Sequence, residues 1–278
     1  MPYDGYEALR IRLDRGVAWV TIDHPPINLF DLVLMQELDR VGKEIETDDT
    51  VRVVVFQSAN PEFFISHADI ELILRAPTTP PPKPDRPTFF QAMCDRFRTM
   101  PKATIAKIEG RARGGGSEFV LSLDMRFGAI GRAMLGQPEV AIGIIPGGSG
   151  TQRLPRIMGR GRALEVILGC EDFDAPLAER YGYLNRALRP DEIGGFVERL
   201  AYRIASYPAE AIGLAKASVD AAELSTFDGL IEEAHNFSLA VATEPAQRLM
   251  KRAMALGAQT RDVELNLGEF MGELSAEP

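Results

Sequence analysis

Residues Gly110–Val120 read GRARGGGSEFV and place three consecutive glycines, Gly114–Gly116, just before the acidic residue Glu118. An apolar segment typical of a strand, Ala103–Ile108, precedes this stretch, and a helix-like run follows it. Glycine lets the backbone adopt positive φ and lets a ligand approach closely, and the free N–H groups of a helix start favour negative charge. Backbone amides beside a single carboxylate indicate catalysis at a carbonyl group.

The glycine stretch taken alone has two other interpretations. It fits a tight packing turn with a solvated glutamate, and a glycine-rich loop can also cradle phosphate. Its spacing, however, matches neither the G-x-x-x-x-G-K-[ST] nor the G-x-G-x-x-G phosphate-binding pattern. The choice between a packing turn and a catalytic loop therefore depends on the rest of the chain.

The 278-residue chain is 45% hydrophobic and 26% charged, which is typical of a globular protein of one or two domains. Its formal net charge of −9 argues against nucleic acid or an anionic membrane as a partner. Two cysteines, Cys94 and Cys170, give no disulfide framework or metal-binding spacing and favour a reducing compartment. The sequence shows no signal-peptide pattern and no apolar run near the roughly 20 residues that span a bilayer, so we expect a cytoplasmic protein.

Hydrophobic patterns in the first part of the chain predict strands and helices in alternation. Leu9–Leu13 and Val17–Ile22 read as a hairpin, and Asp31 caps a predicted helix that runs to about residue 46. Val51–Phe56 reads as a strand covered on both faces. It leads into a second strand–loop–helix unit, Glu62–Ile70, which has the same layout as the glycine stretch.

The later part of the chain becomes helical. Prolines in residues 76–87 predict a surface loop, a helix is expected at Thr88–Met100, and Met125–Ile130 reads as a strand. Beyond a glycine-rich segment, the patterns predict helices at 162–168 and 175–181, a strand at 184–188, and further helices at 193–206, 208–222, 226–242 and 245–256. We therefore expect an α/β fold, with a core region over residues 1–190 that holds the active site and a helical region over residues 191–278.

Three ordered motifs give the chain a resemblance to a known family. They are Phe64–Ile70 (FISHADI), Gly114–Glu118 (GGGSE) and Gly136–Leu154, which contains GQPE and IPGGSGTQRL. Over roughly residues 10–255 the chain resembles the crotonase superfamily, specifically its enoyl-CoA hydratase/isomerase branch. The resemblance implies a spiral of ββα units, a C-terminal helical trimerisation region, and assembly as a homotrimer or a dimer of trimers.

The resemblance also implies which residues act on an acyl-CoA thioester substrate. The backbone N–H groups of Ala68 and Gly115 would form an oxyanion hole, and Glu118 and Glu139 would be the catalytic acids. The implied substrate-binding residues are Ser66, His67, Asp69, Ile70, Gly114, Pro138 and Gly147. Hydration of a 2-enoyl thioester suits this set, because charge builds on the carbonyl oxygen while water loses a proton and C2 gains one. No metal or separate cofactor is implied, since coenzyme A is part of the substrate.

Two acids favour an enoyl-CoA hydratase over an isomerase, because isomerases of the family move a proton and tend to keep one acid. Neighbouring carboxylates also repel each other, so one of them is expected to hold a raised pKa. A hydrolase or lyase acting on another acyl-CoA is an alternative, as is a non-catalytic acyl-CoA-binding protein. Two positions depart from the family pattern: His67 stands where glycine is usual, and Glu71 stands near where many relatives carry a CoA-binding lysine. His is among the residues that tolerate positive φ, so we expect the loop to form.

Overall fold

The computed structural model describes residues 3–75 and 87–222, together with positions 243–245, 248, 252 and 255–257. The strands within these residues are β1 (Leu9–Asp14), β2 (Val17–Ile22), β3 (Val53–Ser58), β4 (Phe63–Ile65), β5 (Ala103–Ile108), β6 (Arg111–Arg113), β7 (Met125–Ala129), β8 (Met134–Gly136), β9 (Phe173–Asp174) and β10 (Arg186–Leu188). The helices are α1 (Leu32–Thr47), α2 (Ile70–Leu74), α3 (Phe89–Thr99), α4 (Gly115–Leu121), α5 (Gly150–Met158), α6 (Arg160–Gly169), α7 (Ala175–Tyr181), α8 (Ile193–Ala205) and α9 (Ala209–Ala221), and a 3-10 helix covers Glu139–Ile142. None of the helices in this described part is both long and apolar enough to cross a membrane.

Two sheets organise the described residues. The larger sheet has the order β1-β2-β3-β5-β7-β10, and the smaller one has the order β4-β6-β8-β9. Pairing is parallel except in the β1–β2 hairpin and between β8 and β9. After β3, β5 and β7 the chain passes from the larger sheet to a strand of the smaller sheet and then into a helix. This repeated path is the predicted spiral of ββα units.

The glycine stretch differs in one respect from the predicted strand, glycine turn and helix start. Arg111–Arg113 form the short strand β6, which pairs with both β4 and β8 at the centre of the smaller sheet. A strand of three residues with a single buried side chain, Ala112, is too short to show an alternating pattern in the sequence. Helix α4 then begins at Gly115, directly beyond the sheet.

Burial on both sides of the larger sheet explains the continuous apolar run of β3. Val54 and Phe56 belong to one core cluster, whereas Val53 and Val55 belong to a second cluster on the opposite face. Helix α8 covers this second face with residues spaced four apart, namely Ile193, Val197, Ala201 and Ala205. Full burial of a Val, Ile or Phe side chain contributes about 1.5–3 kcal/mol, so α8 is held to the sheet mainly by apolar contact.

Helix starts follow the polar residues that the sequence places there. Asp31 accepts a hydrogen bond from the Leu34 amide and caps α1, and Thr88 forms a capping box with Gln91 at the start of α3. The predicted helix at 193–206 and the predicted helix at 208–222 are confirmed as α8 and α9. The proline-rich segment 76–86, the predicted helix 226–242 and most of the predicted helix 245–256 lie outside the described residues.

Candidate active site

Close packing fixes the helix that carries Glu118. A Cβ on Gly116 would lie 2.4 Å from the carbonyl oxygen of Ile65, so only glycine lets α4 start this close to β4. The next residue after the acid, Phe119, is fully buried and makes edge-to-face contacts with Phe56 and Phe97 at centroid distances of 5.1 and 5.6 Å. Glu118 therefore projects from a helix that can neither rotate nor withdraw without disrupting the core.

The Glu118 carboxyl group is held by two backbone amides of the third motif. The N–H groups of Gly148 and Gly150 donate to Glu118 Oε1 over 2.7 and 2.8 Å. The side chain is almost completely buried, and this burial raises the pKa of Glu118, although the two amides oppose the shift. One carboxyl oxygen is thus fixed by the backbone, and the motif that contains these glycines is tied to α4.

Glu139 is the first residue of the 3-10 helix and lies beside the glycine turn. Its side chain is 9% exposed, and a Cβ on Gly114 would come within 2.9 Å of Glu139 Oε1. Gly114 also has a φ of +49°, a conformation that side-chain-bearing residues rarely adopt. Burial raises the pKa of Glu139 to about 7, and the nearby charge of Glu118 acts in the same direction. Burial is thus the main cause of the raised pKa of both acids, and the repulsion between them adds a smaller effect at Glu139.

Within the described residues, the loop before α2 leaves the Ala68 amide without a hydrogen-bond acceptor. An isolated parallel bridge joins Phe30 to Ala68, but its hydrogen bonds run from the Phe30 amide to His67 O and from the Asp69 amide to Phe30 O. Gly115, at the first position of α4, likewise has no intrahelical acceptor for its N–H. Neither amide has an acceptor among the described residues, and a Cβ on Gly115 would lie 3.5 Å from the Ala68 nitrogen. Two free donors therefore lie side by side.

A cavity of about 220 Å³ opens at these two amides. Glu139 and Pro138 line it, and isoleucines from α2, from the end of the 3-10 helix and from the segment just after it supply apolar walls. The lining residues are His67, Ala68, Ile70, Ile73, Gly114, Gly115, Pro138, Glu139, Ile142 and Ile144. An acid, two amide donors and apolar walls in one cavity suit a ligand that has a carbonyl group and a hydrocarbon portion.

Several predicted site residues are not part of this lining. Ser66 is buried, Asp69 caps α2 by accepting from the Glu71 amide, and the exposed Gly147 accepts a hydrogen bond from the Gln91 side chain. Glu118 is not among the residues that line the cavity either. His67, Ile70, Gly114 and Pro138, by contrast, do line the cavity, and their contact with substrate stays a prediction.

The two departures from the family pattern lie at the edge of the site. His67 does not have a positive φ, so the loop forms without the tolerance of histidine for positive φ that we expected to matter here. Its Nδ1 instead contacts the carbonyl oxygen of Ala68 at 2.9 Å, an orientation that leaves the Ala68 N–H free. The Glu71 side chain is exposed on α2, with Arg75 as its ion-pair partner at 3.9 Å.

Other contributors were missed in the sequence because they act through backbone or buried contacts. Asn28 holds the loop before α2 by donating to the carbonyl oxygen of Phe64 over 3.0 Å and accepting from the Ser66 amide. Ile73, Ile142 and Ile144 supply cavity walls, and Gln137 lies against Glu139. Gln137, Ile142 and Ile144 lie within the third motif, Gly136–Leu154, but were not singled out there, and Asn28 and Ile73 lie outside the three motifs.

A larger cavity of about 670 Å³ lies elsewhere, beside α9. Four of its charged residues form ion pairs, since Lys216 contacts Asp124 at 2.9 Å and Arg98 contacts Asp220 at 3.0 Å, and the fifth, Arg126, donates to backbone carbonyl oxygens. The remaining lining is mostly apolar, and it contains none of the predicted site residues. Chemistry at a carbonyl group therefore belongs to the smaller cavity.

The chain is similar to known proteins in both sequence and fold. A protein named short-chain-enoyl-CoA hydratase from Clostridium acetobutylicum is 32% identical over 250 residues, which cover 89% of this chain and 93% of that protein. A solved enoyl-CoA hydratase from Bacillus anthracis aligns with a TM-score of 0.81 at 25% identity, covering 90% of this chain and 96% of that one. A solved chain from Streptomyces avermitilis is 38% identical with a TM-score of 0.70, covering 98% of this chain and all of that one. The sequence profile described as enoyl-CoA hydratase/isomerase matches residues 12–255, and the chain belongs to this family.

Proposed function

We propose that this chain is an enoyl-CoA hydratase, which adds water across the 2,3-double bond of a 2-enoyl-CoA thioester. The observation that carries the proposal is the meeting of the Ala68 and Gly115 amides with the Glu139 carboxyl group at one cavity. A thioester oxygen between the two amides would accept two hydrogen bonds. Charge that develops on this oxygen would then be stabilised by donors that are already in place.

The two acids take different parts in the proposed reaction. Glu139, whose pKa is raised to about 7, donates a proton to C2 of the substrate. Glu118, with one oxygen fixed by backbone amides, accepts the proton of the water whose oxygen bonds to C3. Because Glu118 does not itself line the cavity, this water has to lie between the acyl group and the Glu118 carboxyl group. Proton exchange with solvent restores both groups after the product leaves. The reaction requires no cofactor, because coenzyme A is part of the substrate.

The apolar walls favour a hydrocarbon acyl group next to the thioester. Ile70 and Ile73 line the cavity from α2, and Ile142 and Ile144 line it from the segment around the 3-10 helix. The Clostridium acetobutylicum relative is named for short-chain substrates. Crotonyl-CoA, a short unbranched 2-enoyl thioester, is therefore the first substrate to test.

Hydration of crotonyl-CoA, followed by the loss of absorbance of the conjugated thioester, tests the proposal. We expect saturable turnover far above the rate in buffer. Isomerisation of a 3-enoyl-CoA and release of free coenzyme A, measured in parallel, would reveal an isomerase or a hydrolase instead. If no 2-enoyl-CoA is hydrated although acyl-CoA thioesters bind, the chain is an acyl-CoA-binding protein and the proposed function is wrong.

We also propose that the chain assembles in the cytoplasm as a homotrimer or a dimer of trimers. The apolar lining of the cavity beside α9 and the 72% exposed Val219 on that helix support association, because exposed apolar surface of this kind marks interfaces. Sedimentation at micromolar concentration should give three or six times the chain mass of 30.6 kDa. A species that sediments as a single chain would contradict the proposal.

A further inference from the structure

Behind Glu139, a line of buried polar side chains leads away from the cavity. Gln137 on the same segment, Ser117 on α4 and Tyr183 before β10 are each fully buried. Buried polar groups are costly unless they form hydrogen bonds, so these three residues should be explained by their partners. None of them touches the cavity, and the proposed reaction uses none of them directly.

Hydrogen bonds join these three side chains to the acid. With the Gln137 amide nitrogen facing Glu139, that nitrogen donates to Oε2 and Oε1 over 3.0 and 3.2 Å, and the Gln137 oxygen accepts from Ser117 Oγ over 3.2 Å. The Ser117 hydroxyl in turn contacts the Tyr183 hydroxyl. The opposite amide orientation would bring the Gln137 oxygen against the Glu139 carboxyl group, where two acceptors would face each other whenever Glu139 is ionised.

The far end of the line is rigid and remains a donor. Burial raises the pKa of Tyr183 well above its usual range, so its hydroxyl keeps its proton at all ordinary pH values. The buried Arg126 donates from Nε to the Tyr183 carbonyl oxygen over 2.9 Å, and the Arg126 amide donates to the Asn185 side chain. The tyrosine is thus fixed between β7 and the turn that precedes β10.

We propose that Tyr183, Ser117 and Gln137 form a positioning chain, in which each group donates towards Glu139. The last donor, the Gln137 amide, holds the Glu139 carboxyl group in place and favours its ionised form. The three residues act through one another and touch no substrate. The proposal rests on the proposed function, because it assumes that Glu139 moves a proton during turnover. It assigns a role to Tyr183, which lies 44 positions beyond Glu139 in the sequence and in none of the three motifs.

Opposing influences on Glu139 explain why such a chain matters. Burial and the charge of Glu118 on α4 favour the neutral acid, and His67 faces the same cavity from the loop before α2. The amide of Gln137 donates to the carboxylate and so favours the ionised form. The chain therefore limits the rise in pKa, which keeps Glu139 able both to give up a proton and to recover it near neutral pH.

Two substitutions remove hydroxyl groups from the positioning chain without changing a residue that lines the cavity. Tyr183→Phe removes only the terminal hydroxyl, and Ser117→Ala removes the donor to Gln137. We expect the alkaline limb of the pH profile of kcat/KM to move upward by about half a pH unit in Tyr183→Phe and by about one unit in Ser117→Ala. In both variants kcat should fall by about two- to tenfold, because a typical hydrogen bond that fixes the carboxyl group is lost.

Tyr181→Phe is the matched control. It also removes a tyrosine hydroxyl, but that group lies on the surface and donates to Glu165. We expect this variant to keep the wild-type pH profile. Tyr183→Phe placed in a Glu139→Gln background should cause no further loss of residual turnover, since the acid that the chain positions is then absent.

A direct titration of Glu139 tests the positioning chain without relying on turnover. In protein labelled with carboxyl-13C glutamate, the Glu139 resonance is identified by its absence in Glu139→Gln, and its pKa should rise in the order wild type, Tyr183→Phe, Ser117→Ala. If the Glu139 pKa is unchanged in both variants and only their melting temperatures fall, the three side chains serve stability alone and the proposal is wrong. A wild-type protein that hydrates no 2-enoyl-CoA would overturn the proposed function instead. The titration would still show whether the positioning chain acts on Glu139.

Discussion

Glu139→Gln is expected to lower kcat for hydration of crotonyl-CoA by about 10²–10⁴-fold, the usual contribution of a positioned acid or base. Gln keeps the size of the side chain and its contact with the Gln137 amide, but it cannot deliver a proton to C2. Glu118→Gln should cause a loss of similar size, because the attacking water then has no proton acceptor. Thioester affinity should survive in both variants, since neither carboxyl group forms part of the pair of amide donors.

Protein stability provides the control for this loss of activity. Burial raises the pKa of Glu139 from 4.5 to about 7 in the folded protein. The contribution of Glu139 to the free energy of unfolding is therefore complete below the unfolded-state pKa and is lost as the pH rises through the folded-state pKa. A neutral glutamine should therefore leave the fold at least as stable as the wild type above pH ~7. The exposed Glu165→Gln serves as a matched substitution and should change neither activity nor stability.

Near-normal hydration by Glu139→Gln would contradict the two-acid mechanism. The remaining acid, Glu118, would then have to transfer every proton, as in a single-acid isomerase. Measurement of 3-enoyl-CoA isomerisation in the same variant would distinguish this case from an unexpected substitute acid, because His67 is the other titratable group that lines the cavity among the described residues.

The parts of the site that were predictable from sequence are those encoded in short contiguous motifs. Glu118, Glu139 and the two amides at Ala68 and Gly115 each lie in one of the three motifs, and the structure brings all three motifs together. Strands β1 to β3 were also predictable, because their alternation or continuous burial is visible over six residues.

Features that depend on contact between distant segments were not predictable in the same way. The bridge between Phe30 and Ala68 joins residues 38 positions apart, and neither residue type marks it. Tyr183 reads as an ordinary core aromatic until its hydroxyl is seen to contact Ser117. The predicted substrate contacts at Ser66, Asp69 and Gly147 followed motif proximity, but these neighbours in sequence point into the core, cap α2 or face solvent.

Gly115→Ala is expected to reduce turnover by about 10²–10³-fold, the usual effect of losing one oxyanion donor. The new methyl group would lie 3.2 Å from the Ala68 Cβ and 3.5 Å from the Ala68 nitrogen, in the gap where the thioester oxygen is proposed to bind. The oxygen could then no longer approach both amides. Gly161→Ala is the matched control, because a Cβ there meets nothing within 4 Å and the residue lies inside α6.

Ala68→Pro tests the other donor by removing its N–H group, and it should likewise abolish turnover. The bridge to Phe30 uses the Phe30 and Asp69 amides, so its hydrogen bonds do not involve the nitrogen that proline alters. Circular dichroism and sedimentation should therefore match the wild type. If Ala68→Pro fails to fold, Gly115→Ala still decides the question, because alanine is favourable within a helix. Hydration at the wild-type rate by a folded Gly115→Ala or Ala68→Pro protein would show that the two amides do not bind the thioester oxygen.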